Sequence, residues 1–268
     1  MHAVITGASS GIGAALARHL HRSGAQVTLV ARRQAHLEAL SHELGERCRW
    51  AVHDVSQEPS AWVEELERTE PIDLFINNAG IQALGAFATS APEVGRRILE
   101  TDLWAPIALA RAVLPGMLAR KSGTLVQVAS VAALIGPAGM AWYAGAKAGL
   151  AAFSETLHVE LRETGVHVLT VYPGPIDNGA PQETGTFYGE NSLAVRIPIG
   201  SADDLAREIL RSVRKRRARL VYPRVYAAAY WLTPAARWLV GRATPRFAVL
   251  PPAGPPAPPG RLPWWSNK

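Results

Sequence analysis

Cysteine is nearly absent: Cys48 is the only one in 268 residues. No internal disulfide can form, so the core must hold the fold, and a reducing, cytoplasmic setting is expected. No run of about 18 uncharged apolar residues occurs, the length a spanning helix needs, so no membrane crossing is expected. The first strand is expected at the second or third residue with no leader ahead of it. Eight histidines are scattered without ligand spacing, so no metal is expected. Acid is scarce in one region only. Residues 201–268 hold Asp203, Asp204 and Glu208 against thirteen Lys and Arg, whereas residues 1–200 hold nineteen acids and fifteen bases. The excess positive charge therefore lies in the last quarter. It suits either a solvated basic helix or an acidic partner surface such as a membrane; no nucleic acid is expected.

What is present begins with Thr6-Gly7-Ala8-Ser9-Ser10-Gly11-Ile12-Gly13. The apolar run Ala3-Val4-Ile5 leads in and an Ala- and Leu-rich segment leads out, which predicts strand, glycine turn and helix. No Lys-Ser or Lys-Thr pair follows, so this is no Walker loop. Glycines allow a sharp turn and close approach to a pyrophosphate, and the helix N-terminus supplies free N–H groups. The alternative is a plain tight turn. At 48% hydrophobic, the chain can bury one α/β core with a modest extension.

Gln26-Val27-Thr28-Leu29-Val30 reads as a second strand closed by Ala31-Arg32-Arg33. Arginines without an acid at this place favour a ribose 2′-phosphate, Arg32 pairing with it and Arg33 helping, hence NADP(H) over NAD(H). Asp54 follows a third strand, placed to accept from an adenine amino group or to cap a helix. A fourth strand ends in Asn77-Asn78-Ala79-Gly80, at the expected topological switch point. A long helix is expected over 92–118, kinked or broken at Pro106. After a fifth strand comes Ser130. Tyr143 and Lys147 follow on a helix, where i, i+4 spacing puts them on one face. A neighbouring ammonium stabilises a phenolate, which makes proton exchange with a carbinol practicable. Ser130 can donate to the substrate oxygen.

With these residues quoted, the chain resembles the short-chain dehydrogenase/reductase family over about residues 2–222. Gly7, Gly11, Gly13, Asp54, Asn77–Gly80, Ser130, Tyr143, Lys147 and Pro173-Gly174 carry the resemblance. It implies a Rossmann-like, doubly wound sheet of about seven parallel strands, an NAD(P)(H) cofactor, and homodimers or homotetramers. It implies Tyr143 as general acid/base, Lys147 on the nicotinamide ribose and Ser130 on the carbonyl. The implied cofactor contacts are Gly7, Ser9, Ser10, Gly11, Ile12, Gly13, Arg32, Arg33, Asp54, Val55, Asn78, Ala79, Gly80, Tyr143, Lys147, Pro173, Gly174, Ile176 and Asn178. Two positions depart from the family pattern. Asp102 stands where an asparagine usually helps the proton relay, and Asn178 where a threonine is usual. Either the Asp102 carboxylate, ionised near Lys147, partly cancels the field that lowers the Tyr143 pKa and shifts the pH optimum upward, or only its backbone carbonyl serves the relay. The second is favoured, because the relay needs an acceptor rather than a particular side chain.

The implied organisation is a catalytic domain over 1–223, a helical extension over 224–250 and a proline-rich tail over 251–268. Residues 179–200 are expected to form a mobile substrate loop, with Phe187, Tyr188, Leu193 and Val195 lining a pocket. In the extension, Thr233-Pro234 predicts two short helices, Thr233 as an N-cap. Its apolar stripe, with Tyr226, Tyr230, Trp231, Trp238, Arg224, Arg237 and Arg242, suits a membrane interface or packing on protein, with packing favoured. The cluster Arg214-Lys215-Arg216-Arg217 extends this basic surface over 214–242. The leading function is an NADP(H)-dependent oxidoreductase interconverting an apolar ketone or aldehyde with an alcohol. The alternatives are a non-catalytic NADP(H)-binding sensor or scaffold, and a peripheral membrane protein.

Overall fold

Every residue of His2–Thr6 (β1) is buried, as the run Ala3-Val4-Ile5 requires of a strand covered on both faces. The computed structural model describes residues 1–57, 60–177 and 198–243. β1 pairs in parallel with Gln26–Ala31 (β2) on one side and Leu74–Asn77 (β4) on the other. With Cys48–Val52 (β3), Gly123–Val128 (β5), Val166–Pro173 (β6) and Arg219–Tyr222 (β9), they form one seven-stranded sheet. Its order is β3-β2-β1-β4-β5-β6-β9, and all its pairings are parallel. The order reverses between β1 and β4, which opens a crevice beyond their carboxyl ends. Ile176–Asp177 (β7) and Gly200–Ser201 (β8) pair separately as a short ribbon.

Both faces of the sheet are covered. Gly11–Arg22 (α1), Gln34–Leu44 (α2) and Ala202–Arg214 (α8) bury Leu16, Leu20, Leu37, Leu205 and Ile209 against one face. Ala61–Thr69 (α3), Ala105–Ala119 (α5) and Ala141–Glu160 (α7) bury Val63, Leu109, Val113, Met117 and Leu157 against the other. A doubly wound Rossmann-like fold is therefore the observed architecture. Ala132–Ile135 (α6) is a single turn between β5 and α7 that the sequence pattern did not suggest.

The long helix expected over 92–118 is interrupted. It runs as Pro92–Leu99 (α4), a π-helical turn Glu100–Trp104, and α5. Pro106, at the start of α5, lacks the N–H that would continue the regular ladder. The π turn shifts the buried face by about one position: Leu99 and Trp104 are exposed, while Thr101, Asp102 and Ala105 are buried. By length and composition, Pro92–Ala119 is apolar enough to cross a membrane, contrary to expectation; its packing on the sheet makes it a core helix.

The extension forms Ala227–Trp231 (α9) and Thr233–Ala243 (α10), the two short helices expected. Thr233 is not an N-cap: its hydroxyl donates backward to the carbonyls of Ala229 and Tyr230 and closes α9. The extension packs on the catalytic domain. Tyr226 lies over Gly174, where an added Cβ would come within 2.7 Å of its ring, and Arg237 donates to the Leu134 carbonyl of α6 at 2.8 Å. The expected loop side chains Phe187, Tyr188, Leu193 and Val195, together with Asn178 and the proline-rich tail, lie outside the described residues.

Candidate active site

The glycine loop closes the crevice from β1. Gly7 has φ +67°, and a Cβ on it would stand 2.8 Å from the Ala79 Cα. A Cβ on Gly13 would meet the Gly7 carbonyl oxygen at 2.4 Å. The loop is thus drawn onto the Asn78-Ala79 turn by backbone contact that only glycine permits. Thr6 fastens the two: its hydroxyl accepts from the N–H groups of Asn78 and Ala79 at 3.0 and 3.1 Å. The Asn78 amide in turn donates to the carbonyls of Thr6 and Gly7. Asn78 therefore shapes the loop. Ser10 precedes α1 without a side-chain cap bond, and the first turn of α1 carries no acid. The helix start thus offers its N–H groups and positive dipole end, with Ser9, Gly11 and Ile12 around it. These residues fit a dinucleotide pyrophosphate.

At the end of β2 the two arginines part. Arg33 donates to the Ser9 hydroxyl at 2.8 Å and to the Ser10 hydroxyl at 2.7 Å, so its guanidinium sits on the loop. Arg32 instead turns to Asp54, at 3.7 Å. Asp54 closes a turn rather than capping a helix: its Oδ1 accepts from the backbone and hydroxyl of Ser56 at 3.0 and 2.7 Å. Burial pushes its carboxyl up, but these bonds and Arg32 outweigh that and hold it below the usual range. The Val55 side chain packs in the core with Val4 and Val30, and Ile176, partly buried, packs from β7 against the opposite core.

Ser130, just beyond β5, is buried. Its hydroxyl accepts from the Ala132 N–H at 3.1 Å and lies 3.5 Å from the Pro173 carbonyl. Pro173 ends β6, and Gly174 donates to the Tyr222 carbonyl at 2.7 Å. On α7 the i, i+4 spacing acts as expected: the Lys147 ammonium lies 5.8 Å from the centre of the Tyr143 ring. Lys147 is itself buried and donates to the Val128 carbonyl at 3.0 Å.

Asp102 is fully buried, contrary to the expectation that its side chain is a bystander. The π turn carries it inward, where Oδ2 lies 3.3 Å from the Lys147 ammonium and Oδ1 accepts the Ile81 N–H at 2.8 Å. Burial pushes the Tyr143 phenol up; Lys147 opposes this, Asp102 adds to it, and the Ser130 hydroxyl opposes it. Burial pushes the Asp102 carboxyl up against the opposing pull of Lys147 and the Ile81 N–H. It pushes Lys147 down, but Asp102 and Tyr143 more than offset this and hold the ammonium charged. Two further contributors, the Val128 carbonyl and the Ile81 N–H, are backbone groups and leave no signal in a side-chain pattern. A phenol, an ammonium and a hydroxyl thus converge at the carboxyl end of the sheet, beside the phosphate cradle. Such a group can exchange a proton with an oxygen held by Ser130.

A family model described as short chain dehydrogenase matches residues 1–187. A Bos taurus protein, dehydrogenase/reductase SDR family member 7B, is 33% identical over 221 residues, covering 75% of this chain and 68% of that protein. Nodulation protein G of Rhizobium meliloti (strain 1021) is 35% identical over 200 residues, 74% of this chain and 81% of its own length. Among solved structures, a short-chain dehydrogenase from Sphingobium yanoikuyae in complex with NADPH is similar with a TM-score of 0.75 and 28% identity. That match covers 91% of this chain and 96% of the other.

Proposed function

The chain belongs to the short-chain dehydrogenase/reductase family and is an NAD(P)-dependent oxidoreductase, and we propose that it uses NADP(H) to interconvert an apolar ketone or aldehyde with an alcohol. The observation that carries this reading is the placement of the Lys147 ammonium over the Tyr143 ring, with the Ser130 hydroxyl acting on the same phenol. A bound nicotinamide dinucleotide supplies the electron pair and the hydrogen at carbon. In this reading Ser130 holds the carbonyl oxygen, and Tyr143 Oη gives its proton to that oxygen during reduction and takes one back during oxidation. Lys147 stabilises the phenolate left behind.

Preference for the 2′-phosphate is supported by Arg33 on the loop hydroxyls, and by the absence of an acid among residues 31–33. Charge-assisted bonds contribute about 1.5–3 kcal/mol, roughly ten- to a hundredfold in affinity. Arg33→Ala should weaken NADPH binding by that factor and leave NADH little changed. Arg32→Ala should do less, because Asp54 holds that side chain. A screen of NADPH oxidation against long-chain ketones, cyclic ketones and aldehydes tests the activity itself. Stoichiometric NADPH binding without turnover on any carbonyl class would favour the sensor or scaffold instead. Equal loss of NADPH and NADH affinity in Arg33→Ala would remove the 2′-phosphate assignment.

One specific observation favours an additional membrane contact. Although the extension packs on the core through Tyr226 and Arg237, Trp231, Leu232, Trp238 and Leu239 remain exposed, Trp231 by 74%. Arg242 flanks Trp238 at 5.8 Å from its ring. In this reading the outer face of the extension rests on an anionic membrane on its cytoplasmic side, with the basic residues 214–217 adding attraction. Flotation with anionic liposomes should carry the protein upward in low salt only. No flotation in low salt would remove this contact.

A further inference from the structure

Lys147 is buried, and the groups facing it can be named. From α7 it faces Tyr143, and from the π turn it faces Asp102. From β5 it meets only the Val128 carbonyl. The turn after β4 brings Gly80, where an added Cβ would stand 3.1 Å from Asp102 Oδ2 and 3.3 Å from Lys147 Nζ. That turn therefore covers the pair without separating it. Among the described residues, Asp102 and Tyr143 are the titratable groups facing this ammonium. The Ile81 N–H fixes the second carboxylate oxygen, so Asp102 cannot swing away without losing this partly buried bond.

An ammonium lowers the pKa of a neighbouring phenol, and a carboxylate held against that ammonium cancels much of its field. A neutral side chain at the same place would leave the field intact. Building on the oxidoreductase reading above, we infer that Asp102 is a positioning residue that sets the pH range of the site. It holds Lys147 charged and in place, and it keeps Tyr143 as the protonated phenol into alkaline solution. The site is thereby tuned to donate a proton, the step that carbonyl reduction requires. Alcohol oxidation needs the phenolate to accept a proton, so its rate should rise only at high pH. The buried environment adds to this setting, since burial and Asp102 both push the phenol up.

Asp102→Asn preserves shape, and its amide oxygen can still accept the Ile81 N–H. It removes one negative charge, so the first proton lost from the Tyr143–Lys147 pair should leave at lower pH. Tyrosinate absorbance, taken as wild type minus Tyr143→Phe, isolates the Tyr143 titration without substrate. The same difference measured in the Asp102→Asn background should have its midpoint about one pH unit lower or more. With a confirmed alcohol substrate, the alkaline-rising limb of kcat/KM should move down by the same amount. A purely structural role for Asp102 would move neither midpoint. Asp102→Ser, smaller and also neutral, should shift the same way and serves if the asparagine variant does not fold. An unchanged or raised midpoint in the folded variant overturns the inference, even in an active enzyme. A lowered midpoint supports it, and a complete lack of turnover would then count against the oxidoreductase reading alone.

Discussion

Two tyrosine clusters lie along α7, built from nearly the same side chains and differently employed. Near the start of the helix, Tyr143 faces the Lys147 ammonium, with Asp102 beyond it. Further along, Glu155 takes the place of the cation. Its Oε1 accepts from the hydroxyls of Tyr172 and Tyr230 at 2.8 and 2.9 Å. Arg219 stands behind, 3.8 Å from that same oxygen and 4.7 Å from the centre of the Tyr230 ring. Burial, followed by Glu155, pushes the Tyr172 phenol far up. A phenol donating to a carboxylate is pinned in its protonated form, whereas one facing an ammonium has its phenolate stabilised. The contrast teaches that order matters: cation next to phenol gives a proton-exchange site, and carboxylate next to phenol gives a brace. Here the brace joins β6, α7 and α9, and so ties the extension to the catalytic domain.

Removing the cation should produce the largest effect. Lys147→Met leaves Asp102 buried without its partner, at a cost of about 3–5 kcal/mol in stability. Turnover should also fall about 10²–10⁴-fold through loss of the activated phenol. Adding Asp102→Leu should restore much of the stability in a denaturant titration and none of the turnover, separating the two roles. In the second cluster, Glu155→Ala leaves two phenol hydroxyls without their acceptor and should cost about 1–3 kcal/mol. Its pH–rate profile should stay that of the wild type. The smallest effect is expected from Tyr172→Phe, which keeps the ring and leaves Glu155 engaged by Tyr230 and Arg219. Chemical denaturation should show a loss of about 1 kcal/mol, with turnover near wild type. A marked change in the pH profile of either brace variant would erase the distinction between the clusters.

Much of this site was legible in the sequence because its determinants are local. The glycine loop, Ser130, and the i, i+4 pair Tyr143 and Lys147 carry their geometry in their spacing, and the family resemblance that these residues carry implied the doubly wound sheet. Other parts were not legible, for physical reasons. Consecutive residues at a strand end point to opposite sides, so a sequence reading that put Arg32 first could not show that Arg33 is the one that reaches the loop. The inward turn of Asp102 depends on a π-helical turn that shifts helical phase, and a regular 3.6-residue pattern cannot show it. The brace at Glu155 joins residues 17 and 75 positions apart, a pairing that only the folded chain makes.

The claim that the phenol beside the cation is the working one is tested most directly by kcat/KM of Tyr143→Phe on a carbonyl substrate that the wild type reduces. The variant keeps the ring and lacks only the proton donor. The account predicts a loss of about 10²-fold or more, with NADPH binding unchanged. A variant that retains most of the wild-type kcat/KM would contradict it.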